Sequence, residues 1–334
     1  MSNDDSAAKG VETISDAEMI EVSKEFFFEG MVLPIKIYLK IHPQSYLLIG
    51  KKDDKANFSN LHVYNNSKVG VYVWKADQPI LISYVTQLTS KIVTQKSVPD
   101  VIKLKFITNL TTDAMDSLEK SGFTSIAKIQ KVSQIAQQLS KNLTVFDELL
   151  VILSDLEPVE SKHAMTTCLI SLLLADEMHM NQVVVQEKLA LGALLHDVGM
   201  RYVPKSILEK PRHTWTPEEL LTYEQHPLKS IEMLRDLKDI SQDVLLIVVE
   251  HHENALGTGF PKRLRDVKIS PLGRIVLLAN HFANLLFGSL AQSKCYTPDE
   301  AIQYIEEVQG QPFNKQVFSG LKNIINKKNL LDKS

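Results

Sequence analysis

Apolar residues change their spacing along this chain, and the change divides it. In "LPIKIYLKI", Leu33 to Ile41, the residues Ile35, Ile37, Leu39 and Ile41 recur at every second position, the period of a strand with one buried face. "LHVYNNSKVGVYVW" sets two β-rich runs around Asn65-Asn66-Ser67-Lys68, which predicts a hairpin. "VIKLKFI", Val101 to Ile107, alternates again and predicts another strand. From Phe26 to about Ile107 the pattern is therefore that of a small mainly-β or α+β module.

From Thr111 the period lengthens. "TTDAMDSLEKSG" predicts a short helix with a Thr cap, early acidic residues and Gly122 as its stop. "TSIAKIQKVSQIAQQLSKN" carries Ile126, Ile129, Val132 and Ile135-Ala136 at helical spacing and predicts a connecting helix. Beyond Asn142 nearly every segment is helical. Thr216-Pro217-Glu218-Glu219 and Ser270-Pro271 are helix starts with Pro at the first helical position. The expected architecture is α+β with two domains. A flexible N-terminus (1–18) precedes a regulatory or partner-binding domain (19–142) that ends in the connecting helix, and an all-α bundle follows (143–334).

Composition narrows the function. Of 334 residues 44% are hydrophobic and 23% charged, as in an ordinary globular protein. A net charge of -3 is too small to suggest nucleic acid or a membrane surface as partner. Cys168 and Cys295 make no disulfide framework and suit a reducing compartment. The polar start "MSNDDSAAKG" lacks a signal-peptide core, and no apolar run reaches the roughly 20 residues of a membrane span. A cytoplasmic location without membrane insertion is expected.

Of ten histidines, eight lie between His163 and His281. One helical histidine alone is more often a core or surface residue than a ligand. Here a His (His163), a His-Asp (His196-Asp197), a His (His226) and a His-His (His251-His252) fall on four successive predicted helices, an order that can line the interior of a bundle with metal ligands. Both doublets fall at helix C-termini, where neighbouring side chains escape the 100° separation of a regular helix. Asp197 has two oxygens and can bridge two ions.

With "LLHDVG", "ILEKP", "TPEE…HP", "HHEN", "GTGFP", "RIVLLAN", "TPDEAI" and "GQPFN" following His163 in that order, residues from about 145 to 320 resemble an HD-GYP domain, a branch of the HD phosphohydrolase superfamily. The resemblance implies a phosphodiesterase of cyclic di-GMP, or of a related phosphoester, that uses two transition-metal ions, iron first and manganese second, to activate hydroxide. It implies one ion on His163, His196 and Asp197, and a second on Asp197, His226, His251 and His252, with Asn280 as a weaker carbonyl ligand. Asp197 is the implied catalytic residue. Lys205, Lys294, Phe260 and Gly259 are the implied substrate contacts, and the N-terminal domain the place for a protein partner.

The chain departs from the family pattern at five places. Met200 replaces the lysine of HDxGK, Phe260 the signature tyrosine, and Leu256 an aspartate. Asn280 and Ala283 replace two further aspartates, and Lys294-Cys295-Tyr296-Thr297 stands for RPYK. Val159 occupies the position of a third-metal glutamate, which favours two ions. The ligands are kept better than the groups that handle substrate. Two readings stay open: a phosphodiesterase with reduced turnover, or a catalytically degenerate signalling module that binds a cyclic dinucleotide or a protein. His281 is expected in the apolar core rather than at the metal.

Overall fold

The computed structural model describes residues 11–22, 24–27, 30–56, 70–120, 126–142, 159–288 and 294–331. The expected hairpin at 65–68, the stop at Gly122 and the helix expected just after Asn142 lie outside the described residues. The described chain forms two compact units, divided between Ile92 and Val93.

The first unit is built on five antiparallel strands: β1 Val11–Thr13, β2 Met19–Val22, β3 Ile37–His42, β4 Ser45–Gly50 and β5 Val71–Trp74. They lie in the order β1-β4-β3-β5-β2. The alternation that predicts β3 holds for Ile37 and Leu39, which are buried, and fails at Ile41, which is 45% exposed at a register shift between the paired residues Lys40 and His42. The opposite face is covered too. Tyr38 and Tyr46 are buried there with Ile14 and Met19, and Leu48, Tyr72 and Trp74 pack on them. The helix α1, Gln78–Ile92, closes this unit and buries Leu81, Ile82, Val85 and Thr89.

The strand expected at Val101–Ile107 is a helix. Helix α2 runs from Asp100 to Lys120 without a break. Leu104, Ile107, Thr111, Ala114 and Leu118 are buried at three- and four-residue spacing, while Val101 and Ile102 stay exposed. A seven-residue alternation is too short to separate the two periods, and the longer window decides for the helix. Thr111 is accordingly no cap. Its hydroxyl sits mid-helix and donates to the carbonyl of Ile107 at 2.8 Å.

Helix α3, Ala127–Ser140, falls where the connecting helix is expected, yet it packs on α2 and on the next two helices. By packing, then, the helical unit starts at Val93 rather than at 143. Helices α4 (Val159–Glu177) and α5 (Val183–Leu195) follow. Next come the short turn α6 (Lys205–Leu208) and helices α7 (Pro217–Glu224), α8 (His226–Leu234) and α9 (Gln242–Glu250). Helices α10 (Pro271–Phe287), α11 (Pro298–Gln303) and α12 (Lys315–Leu331) complete the unit. Thr216 caps α7 in a full capping box with Glu219, and Ser270 caps α10. Helix α4 packs on α5, α10 and α12 and is buried along most of its length, as a helix apolar on nearly every side requires. His281 on α10 is held by Gln309, at 2.8 Å, and by the Phe313 ring, away from the histidine cluster, as expected. Among the described residues no helix is long and apolar enough to cross a membrane.

Candidate metal centre

Helix ends build this site. His163 lies on α4, near its start. His196 is the residue at which α5 stops, and Asp197 opens the 3-10 turn Val198–Tyr202. His226 is the first residue of α8, and His251 closes α9 with His252 just beyond. The two doublets thus stand at helix C-termini, as expected.

Three rings are fixed in the same way. The Nδ1 of His196 lies 2.6 Å from the Ala193 carbonyl, that of His226 2.7 Å from the Tyr223 carbonyl, and that of His251 2.7 Å from the Val248 carbonyl. A carbonyl only accepts, so each Nδ1 carries the proton and donates it. In the neutral form of each ring Nε2 is then a lone pair aimed inward, the tautomer of a metal-ligating histidine. Yet these lone pairs crowd each other. His226 Nε2 is 3.2 Å from His251 Nε2, and His196 Nε2 is 3.3 Å from His163 Nε2.

Asp197 joins the two pairs. Its Oδ1 lies 3.2 Å from His226 Nε2 and 3.3 Å from His251 Nε2. Its Oδ2 lies 3.2 Å from His196 Nε2 and 3.7 Å from His163 Nε2. The Oδ1 atom is buried without a hydrogen-bond partner. A convergence of lone pairs on a carboxylate demands positive charge among them. Donors bound to one ion at about 2.1 Å sit about 3 Å apart, which is the spacing seen here. Two overlapping groups can hold an ion: Asp197, His226, His251 and His252, and His163, His196 and Asp197.

The electrostatics agree. Burial would raise the Asp197 carboxyl, but His196, His226 and His251 hold it well below the usual carboxylate range. Burial opposes charge on His196 too, yet Asp197 outweighs it and pulls that ring upward. Burial pushes His163 and His251 down to about 4, and it pushes His252 well down, aided by its neighbours His251 and His226. These three rings are neutral near pH 7, the form that binds metal.

Asn280 is buried beside the cluster, next to His163. Its amide donates to the His251 carbonyl at 3.4 Å and its Oδ1 accepts from Asn284 at 3.2 Å. Phe260 stacks on His252, ring centroids 4.4 Å apart. Gly259 is a position only glycine fits, because a Cβ there would meet the His252 carbonyl oxygen at 2.4 Å. Lys205 is exposed at the start of α6, and Lys294 is exposed with its ammonium over the Tyr296 ring.

Sequence reasoning missed three supporting residues. Gly199 leaves no room for a Cβ, which would lie 2.1 Å from the His226 carbonyl oxygen. Ser230 ties the HD turn to α8: it receives the Gly199 N–H at 2.8 Å and lies 3.2 Å from the His196 carbonyl. Tyr223 buries its ring against His226, His252 and Phe260. The readable signal for Tyr223 is its place three residues before a histidine, the same offset as Ala193 to His196 and Val248 to His251.

Residues 149–317, half of the chain and slightly more, match the family model described as HD domain. The chain belongs to the HD domain family, and the HD-GYP resemblance holds. It is 32% identical over 156 residues to the cyclic di-GMP phosphodiesterase PA4108 of Pseudomonas aeruginosa, covering 47% of this chain and 37% of that one. It is 33% identical over 173 residues to a cyclic di-GMP phosphodiesterase of Thermotoga maritima, covering 51% and 46%. The chain thus spans less than half the length of either relative. A solved structure described as Bd1817, a HDG"Y"P protein from Bdellovibrio bacteriovorus, shares the fold. Its TM-score is 0.69 at 20% identity, with 92% of this chain and 100% of that one covered.

Proposed function

We propose that this protein is a metal-dependent phosphodiesterase of cyclic di-GMP signalling with a dinuclear centre. One observation carries the reading: the two oxygens of Asp197 face different histidine pairs, Oδ2 toward His163 and His196, Oδ1 toward His226 and His251. One carboxylate so disposed suits a bridge between two ions better than a ligand to one. The proposed ligands are His163, His196 and Asp197 for one ion, and Asp197, His226, His251 and His252 for the other. Asn280 offers its carbonyl oxygen, and iron is preferred over manganese.

When bound, two such ions would polarise a phosphodiester and lower the pKa of water between them. The residues do the rest. The three backbone-anchored rings hold their Nε2 atoms in place without reorganisation. Asp197 holds its negative charge between the pairs and accepts no proton near pH 7, since its pKa is depressed. Phe260, stacked on His252, holds that ring in place. The relatives named for cyclic di-GMP hydrolysis support the substrate class. The N-terminal unit is proposed to carry or receive a signal through a protein partner.

Met200 and Phe260 favour a second reading, a degenerate module that binds without cleaving, because each lacks the polar group of the family motif. Incubating the metal-loaded protein with cyclic di-GMP separates the two. The first reading predicts appearance of the linear dinucleotide, lost in Asp197→Ala. Binding without product supports the second.

A further inference from the structure

Met200 supplies no cation to the site, but one stands nearby on an aromatic mount. Arg212 opens the 3-10 turn Arg212–Thr214 between Pro211 and α7. Its guanidinium lies over the Tyr223 ring, 5.1 Å from the centroid, and 5.8 Å from the centroid of Trp215. The mount is fixed. Trp215 packs on Tyr223 at 5.1 Å and donates its Nε1–H to the Lys210 carbonyl at 3.1 Å. Tyr223 in turn packs on His226 at 5.1 Å, and its carbonyl takes the His226 Nδ1 proton. Arg212 therefore stands one aromatic ring away from a proposed metal ligand.

Its charge is not spent elsewhere. The neighbouring Lys210 is paired with Glu219. Among the described residues no carboxylate pairs with Arg212, and it is half-buried rather than free in solvent. A stacked guanidinium keeps its planar fork of donors available, the geometry that matches a phosphate. A cation set off from the cluster by the Tyr223 ring suits a second anion on the same ligand better than the one at the ions. A cyclic dinucleotide carries two phosphodiesters.

We propose that Arg212, mounted on Tyr223 and Trp215, binds the phosphodiester of a cyclic dinucleotide that is not being cleaved. The inference rests on the phosphodiesterase reading and adds to it a specificity device that a substrate with one phosphate does not use. Arg212 is the ligand-binding group, whereas Tyr223 and Trp215 are positioning residues.

The test compares Arg212→Gln and Arg212→Lys with wild type in the full-length, metal-loaded protein. Metal content and Tm verify that the variants fold. Two probes are used: cyclic di-GMP, followed by calorimetry and turnover, and bis(p-nitrophenyl) phosphate, which has one phosphate. Arg212→Gln should raise Kd and KM for cyclic di-GMP on the order of tenfold, the scale of one charge-assisted contact, with kcat little changed. Arg212→Lys should recover only part of this, because lysine lacks the fork. Rates on bis(p-nitrophenyl) phosphate should not move. Equal cyclic di-GMP affinity in Arg212→Gln and wild type would overturn the proposal, as would a parallel loss on both esters. A failure of the underlying reading shows elsewhere: the wild type itself would lack metal and leave both esters intact.

Discussion

His226 and His251 point the Nε2 atoms of two buried rings at each other, 3.2 Å apart, while both rings donate Nδ1–H to backbone carbonyls. Two acceptors in that position repel unless a cation lies between them, and Asp197 Oδ1 is the third acceptor of the same triangle. The backbone hydrogen bonds make this arrangement an instruction written into helix ends rather than an accident of side-chain placement.

One consequence concerns the HD turn. A methyl at Gly199 would collide with the His226 carbonyl and with Ser230. Gly199→Ala is expected to cost about 1–3 kcal/mol, the range of overpacked interiors, and to lower metal affinity by moving His226. Thermal unfolding of metal-free and metal-loaded protein measures both effects. An unchanged Tm in both forms would contradict this packing.

A second concerns pH. His163 and His251 sit at about 4 in the folded chain against an ordinary value of 6.5. Between those values the unfolded chain binds more protons, so the folded state is favoured above pH 6.5 and loses stability as pH falls toward 4. Asp197, depressed, adds to the loss at the acid end, while His196, pulled upward, opposes it. Metal-free protein should unfold at a lower temperature at pH 5 than at pH 7.5, and metal-loaded protein should release its ions over the same window as protons compete. A Tm that rises on acidification would contradict the burial of these rings.

A third concerns the lost groups. The Phe260 ring stacks on His252 and packs near His226, so a tyrosine there stands beside the proposed ligands. The double variant Met200→Lys, Phe260→Tyr is expected to raise turnover of cyclic di-GMP at least about tenfold, since one electrostatic stabiliser is commonly worth 10²–10³. No gain would mean that the pocket has been refitted to a different ligand.

Much of this site was legible from residue types and order. Six candidate ligand side chains come together from one segment, because His-Asp and His-His at helix ends leave few other uses for so many clustered imidazoles. The N-terminal half was less legible. The period-two stretch at Val101–Ile107 sits in a helix, and only the continuation through Leu110, Ala114 and Leu118 reveals that. Tyr223 and Ser230 were not legible, because what makes them matter is a carbonyl, a hydroxyl and a ring face brought to the cluster by packing; Arg212 was legible only as one of three basic residues after the HD doublet, with Lys205 and Lys210, that could meet a phosphate. Lys205 and Lys294, the expected substrate contacts, are exposed at the surface, whereas Arg212 stands over the ring that supports His226.

Whether Asp197 bridges two ions is decided by metal analysis of protein purified without oxygen. About two transition-metal equivalents per chain are expected, iron before manganese, with loss of both in Asp197→Ala. A wild type holding one equivalent or none, or an Asp197→Ala protein that keeps both, would contradict the bridge.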